Sequence, residues 1–154
     1  MASVLKSFNQ RVISKILMKS YSAEFKVRTR AAMDFVNITD KILQAVSKSG
    51  VRDGLLNVFI PHTTVGIFIN EDESGLRKDV ERTLLKLIPE RANYAHDEVD
   101  YNAHAHLKSV ILSPSTTIPI NDGKLMIGTW QSIFLAEFDG PRERRVLIKV
   151  IGAD

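Results

Sequence analysis

The stretch LLNVFIPHTTVGIFI, residues 55–69, sets the terms for the rest of the chain. Leu55 to Ile60 and Val65 to Ile69 are apolar runs rich in branched and aromatic side chains. Each is too short for an ordinary helix, so both read as buried strands. Between them Pro61-His62-Thr63-Thr64 interrupts the apolar pattern. Proline cannot supply a ladder donor, so an exposed rim loop or a bulge is expected there, with one histidine at its centre.

Working outward, Asn70 and the acidic run Glu71-Asp72-Glu73 end the second strand, and Leu76, Val80, Leu84 and Leu87 then recur at helical spacing. Ser74 is expected to cap that helix, with the acids facing its positive end, and Pro89 to stop it. Upstream, Phe25, Val27 and Thr29 alternate with Glu24, Lys26 and Arg28, the pattern of a half-solvated strand near a sheet edge, spanning Glu24 to Arg30. Asp34 to Ile38 reads as another strand. Thr39 is expected to cap a helix that runs through Ile42, Leu43, Ala45 and Val46 to Ser49-Gly50.

Downstream, Ala105 to Leu112 suits a short helix. Asn121-Asp122-Gly123-Lys124 is a turn signal that pairs Thr116 to Ile120 with Leu125 to Ile127. Gln131 to Phe138 and Arg145 to Ile151 complete the strand candidates. Met1 to Lys19 reads as an amphipathic helix with Val4, Phe8, Val12 and Ile16 on one face. The resulting expectation is an α+β fold: a largely antiparallel, β-sandwich-like core with helices on the outer faces. Residues 1–20 form a helical extension and residues 21–154 a single domain.

The 154 residues fit one domain. No cysteine occurs, which removes disulfides and thiolate ligands and leaves histidine and carboxylate as the strong metal donors. A net charge of +3 from nearly balanced acids and bases is small for a nucleic-acid binder. No segment has the length and apolarity of a membrane span. Met1 to Phe8 carries Lys6 with no apolar core behind it, so a secretory leader is not expected and the cytoplasm is the expected location.

Three of the four histidines, His96, His104 and His106, fall in Tyr94 to Lys108, and the fourth is His62. Three imidazoles could hold a catalytic metal with one position left open, and His62, His96 and His106 are the candidate set. His104 and His106 lie two apart and cannot easily share one ion. Their spacing matches neither a zinc-finger nor a His-Glu-x-x-His pattern, and a backbone-satisfying role for His106 stands beside the functional one. Glu71 is the carboxylate expected to serve His62 as orienter, ligand or base, with helix capping as its alternative. Glu137 interrupts an apolar run and is expected to face a cleft, pair with Arg144 or turn to solvent. Gly128-Thr129-Trp130-Gln131 offers an aromatic wall and an amide for an organic ligand, or equally a subunit contact. Arg144, among the arginines near the end, could hold phosphate.

The ordered set Asp53-Gly54, His62-Thr63-Thr64, Ile69-Asn70-Glu71, Tyr94-Ala95-His96, Ala105-His106-Leu107-Lys108 and Gly128-Thr129-Trp130-Gln131 resembles the YjbQ-like family, also described as secondary thiamine-phosphate synthase-like proteins. The resemblance runs from about Glu24 to Gly152. It departs at Ser113-Pro114-Ser115, where relatives often carry glycine, and His104 matches no family histidine. It implies a β-sandwich-like domain assembled as a homotrimer.

It further implies an activity: hydroxymethylpyrimidine diphosphate joined to thiazole phosphate with release of pyrophosphate. On that reading His62, Glu71 and His106 act in catalysis. Thr63, Asn70, Trp130, Gln131 and Arg144 bind a phosphorylated small molecule, Glu137 orients, and His62, His96 and His106 hold a divalent metal, zinc or magnesium. The alternatives are a noncatalytic metal- or metabolite-binding homotrimer and a metal-dependent phosphohydrolase. Neither nucleic acid nor membrane is an expected partner.

Overall fold

Two antiparallel sheets face each other across a core of branched aliphatic side chains in the computed structural model, which describes residues 17–154. The larger sheet has the order β1-β8-β3-β5-β6, built from β1 (Lys19–Arg28), β3 (Asp53–Phe59), β5 (Ser115–Asn121), β6 (Lys124–Leu125) and β8 (Glu143–Ala153). The smaller has the order β2-β7-β4, from β2 (Asp34–Asn37), β4 (Val65–Asn70) and β7 (Ser132–Glu137). The connectivity is α+β. Most of the expected helical extension, residues 1–16, lies outside the described residues, but Lys19 and Ser20 belong to β1. The first strand therefore begins five residues before the expected Glu24. Its edge position is as the alternation required, because β1 pairs only with β8.

The two runs of the opening stretch form β3 and β4, in different sheets. Pro61 to Thr64 is thus the rim crossing by which the chain leaves one layer for the other, and this explains a run of polar residues between two buried ones. Side chains at alternate positions of β4 and β7, Val65, Ile67, Ile133 and Leu135, meet Val58, Val146, Ile148 and Val150 of the large sheet between the layers. Each such aliphatic side chain contributes about 1.5–3 kcal/mol by leaving water.

The opposite face of the small sheet carries Phe35, Phe68, Phe134 and Ala136 and is covered by two helices, α2 (Ser74–Leu87) and α3 (Ala103–Leu112). Phe68 stacks on Phe134 with ring centroids 4.8 Å apart. The remaining helix, α1 (Thr39–Ser49), sends Ile42, Ala45 and Val46 into the inter-sheet core and stops at Gly50 in the left-handed region, φ 64°. Among the described residues no helix covers the outer face of the large sheet.

Two expected caps are displaced by one or two residues. Glu73 rather than Ser74 caps α2, its carboxylate accepting from the N–H groups of Gly75 and Leu76 at 2.7 Å each. At α1 the Asn37 Oδ1 accepts from the Thr39 N–H at 3.0 Å. The Thr39 hydroxyl accepts from the Ile133 N–H, tying the helix start to β7. Helix α3 can lie close on β4 because Gly66 stands beneath it. A Cβ there would come within 2.7 Å of the Leu112 Cβ.

Candidate functional site

At the rim where β3 passes to β4, Phe59, Ile60, Pro61, His62 and Thr63 form one wall of a cleft of about 410 Å³. His106, Ser109 and Val110 of α3 form the other wall. The helix is pinned there by the Ser109 hydroxyl, which donates to the Val65 carbonyl at 2.8 Å. His62 and His106, far apart in sequence, are thereby brought to one opening.

The His62 ring is held by the Arg145 N–H, which donates to Nε2 at 3.0 Å. With Nε2 accepting, the neutral ring carries its proton on Nδ1, which can donate to an incoming acceptor. Burial, then the Arg144 guanidinium, holds the His62 pKa below its ordinary value. Arg145 acts in the same direction and Glu137 opposes it. His106 packs edge-on against His96, ring centroids 4.9 Å apart. His96 is exposed on the short 3₁₀ turn Ala95–Glu98.

Below the cleft floor, Arg144 and Glu137 close that end of the inter-sheet core. The Arg144 Nε donates to Glu137 Oε2 at 2.6 Å, and a terminal nitrogen donates to Oε1 at 2.5 Å and to the Thr64 hydroxyl at 2.9 Å. Glu137 also accepts from the Thr29 hydroxyl and from the Phe138 and Asp139 N–H groups. Both residues are buried. The structure therefore selects the ion pair among the readings of Glu137, and it corrects Arg144. Two of its nitrogens serve the pair and Thr64, and the side chain is a support of the rim rather than an open phosphate clamp.

The remaining expected site residues lie at the other end of the small sheet. Asn70 ends β4 opposite Ser132, and its Oδ1 accepts from the Glu71 N–H at 2.9 Å. Six residues of β4 separate this end from the rim, roughly 17–20 Å of strand. Glu71 is consequently not a neighbour of His62 within one chain, contrary to the expectation from sequence. Gln131 turns back to accept from the Gly128 N–H at 2.7 Å, closing a local turn that displays Trp130 to solvent. Trp130 and Gln131 do not line the histidine cleft.

Metal fit follows from these positions. Among the described residues no three histidine, aspartate or glutamate side chains gather closely enough to enclose an ion. His62 cannot offer Nε2 while it accepts from Arg145. The residues of a single chain do not fit the expected three-histidine site.

His104 stands apart. Its Nδ1 is 3.1 Å from the Nζ of Lys108, one turn on along α3, and it faces a different groove with Tyr94 and Tyr101. Lys108 is fully buried, and desolvation lowers its pKa while Glu90 raises it. Burial, then Lys108, lowers that of His104. Lys108 and the roof-pinning Ser109 carry no site expectation of their own from sequence. The four-residue spacing of His104 and Lys108 on a helix was the available signal for the pair.

Two facing antiparallel sheets, helices on one outer face and a histidine cleft at the rim define an α+β protein with a small-molecule-sized opening. The chain belongs to the UPF0047 protein YjbQ-like family, whose family model matches residues 23–153. A UPF0047 protein of Methanothermobacter thermautotrophicus is 44% identical over 137 residues, covering 89% of this chain and 96% of the relative. The UPF0047 protein YugU of Bacillus subtilis is 32% identical over 130 residues, covering 82% of this chain and 96% of the relative. The crystal structure of a YbjQ-like protein of unknown function from Sulfolobus solfataricus superposes with a TM-score of 0.87 at 39% identity, covering 88% of this chain and 99% of that one.

Proposed function

We propose that the chain is an enzyme acting on phosphorylated small molecules at the His62–His106 cleft. Its reaction is the coupling of hydroxymethylpyrimidine diphosphate to thiazole phosphate with release of pyrophosphate. The observation that carries this reading is the convergence of His62, Thr63 and His106 on one cleft above a buried arginine. In this arrangement the His62 Nδ1–H and the exposed Thr63 hydroxyl donate to phosphate oxygens, and positive charge from Arg145 and the supported Arg144 favours the anion. As the thiazole nitrogen's lone pair forms the new C–N bond and the C–O bond to the diphosphate breaks, His106, backed by His96, gives a proton to the departing pyrophosphate oxygen. The working form is a cytoplasmic homotrimer. Zinc or magnesium belongs to the proposal only for the assembled protein, where a second copy could supply further donors, and no step above depends on it.

A second reading, a noncatalytic metabolite-binding homotrimer, is favoured by the exposed apolar side chains Val110, Ile111 and Trp130. Incubation of the purified protein with both precursors, with and without added zinc or magnesium, separates the readings. Thiamine phosphate and pyrophosphate formed in equal amounts supports the transferase. Phosphate released from one precursor without coupling supports a phosphohydrolase. Saturable retention without turnover supports binding alone.

A further inference from the structure

Lys108 is the only buried lysine among the described residues, at 0% exposure. An ammonium taken out of water is costly unless a carboxylate compensates it, and otherwise the group gives up its proton. Arg144, buried in the same way, has Glu137. Lys108 has no such partner: among the described residues it forms no ion pair, and its amine meets an imidazole instead, the His104 Nδ1 at 3.1 Å. Burial holds the Lys108 pKa down, and Glu90, which opposes this, is itself exposed. The balance favours the amine with a free lone pair, the form in which lysine is a nucleophile.

The space beside it supplies an independent observation. His104, half-buried, lines a groove of about 940 Å³ that is separate from the His62–His106 cleft. Groove, imidazole and amine stand in series, so the turn of one ring opens the amine to the groove. Tyr94, fixed by its hydroxyl donating to the Pro89 carbonyl at 3.0 Å, and Tyr101 offer aromatic faces there. Glu90 and Glu98 also line it and form no ion pair among the described residues, which leaves them as acceptors for hydroxyl groups. With Asp97 they make three acids against the single Arg91, a balance that tells against phosphate or carboxylate.

We propose that Lys108 is an imine-forming lysine, whose amine condenses with an uncharged hydroxylated aldehyde or ketone bound in the Tyr94–Tyr101 groove, with His104 as the proton carrier. The nitrogen lone pair forms the C–N bond as the carbonyl π pair moves to oxygen. The His104 Nδ1 takes a proton from that nitrogen and returns it to the oxygen. A second such transfer, as the C–O bond breaks, expels the oxygen as water and leaves a C=N bond. His62 and His106 take no part, so this chemistry stands or falls independently of the transferase.

Glyceraldehyde serves as the probe. The full-length wild-type protein is incubated with dilute glyceraldehyde and cyanoborohydride near neutral pH, which reduces an imine to a stable secondary amine. Peptide mass mapping then follows each lysine as it gains the mass of the aldehyde less one oxygen. Lys48, Lys78 and Lys124 are exposed and act as internal comparisons. A lysine of ordinary pKa is almost wholly protonated under these conditions, so Lys108 is expected to be labelled at least about tenfold faster than any of the three. Lys108 left unmodified, or labelled no faster than they are, overturns the proposal. His104→Gln keeps an acceptor beside the amine and has no ring to carry a proton. It is expected to slow Lys108 labelling at least about tenfold while the exposed lysines react as before, and an undiminished rate overturns the role given to His104. The phosphate ester of glyceraldehyde is expected to label Lys108 at least about tenfold more slowly than glyceraldehyde itself; equal or faster labelling overturns the ligand class.

Discussion

Glu137 shows how a single side chain can look catalytic and serve the frame. A carboxylate in an apolar run has a steep cost of burial, which its contacts with Arg144, Thr29 and two N–H groups offset. Glu137→Ala leaves the Arg144 charge buried without its partner, and urea unfolding is expected to show a loss of about 3–5 kcal/mol. A loss below about 1 kcal/mol would mean the guanidinium finds other acceptors. His62 gives a pH-dependent counterpart. Its folded pKa lies below the ordinary 6.5, so the unfolded ring takes up a proton at higher pH than the folded one. The contribution of His62 to stability is therefore fully present above about pH 6.5 and is lost as the pH drops through the window beneath it. His104 titrates in the same direction. His62→Asn is thus expected to shallow, without abolishing, the decline in unfolding midpoint between about pH 7 and 5. An unchanged slope would show that burial and the neighbouring guanidiniums do not hold the ring's protonation down.

Elements were legible in the sequence wherever one physical pattern dominated. Alternation gave β1 its edge position, and the Asn-Asp-Gly turn gave the β5–β6 hairpin. The apolar runs gave β3 and β4, but nothing local states that they enter different sheets, since a rim crossing and a hairpin loop draw on the same residue types. Caps failed by a residue because serine, glutamate, asparagine and threonine compete for the same N–H groups, and three-dimensional neighbours such as Ile133 decide among them. The site was legible as residue types and illegible as distances. His62 and His106 meet because α3 lies across β4, and Glu71 parts from His62 because β4 runs its full length between them. The α3–β4 contact depends on Gly66. Gly66→Val is expected to force α3 outward against Leu112, costing about 1–3 kcal/mol and loosening the cleft. Thermal unfolding checks the cost, and an unchanged midpoint would show that the helix has room to spare.

At the scale of the whole molecule, a single chain presents half of the site expected from its sequence at each end of one small sheet. The large sheet adds exposed Leu55, Phe59 and Ile151 on its uncovered face. The proposed homotrimer would have to cover part of this apolar surface. Light scattering of the purified protein at micromolar concentration is expected to return the mass of three chains, and a monomer throughout the range would contradict the homotrimer. The account turns on the histidine cleft as a place of reaction. Its most direct test is formation of thiamine phosphate and pyrophosphate from the two precursors by the wild-type protein, His62→Asn and His106→Asn, in defined zinc or magnesium. The expected outcome is saturable turnover that falls at least about 100-fold in the His106 variant, the lower range for loss of a proton-transfer group, and measurably in the His62 variant. Absence of turnover under every metal condition, or turnover indifferent to both substitutions, would contradict it.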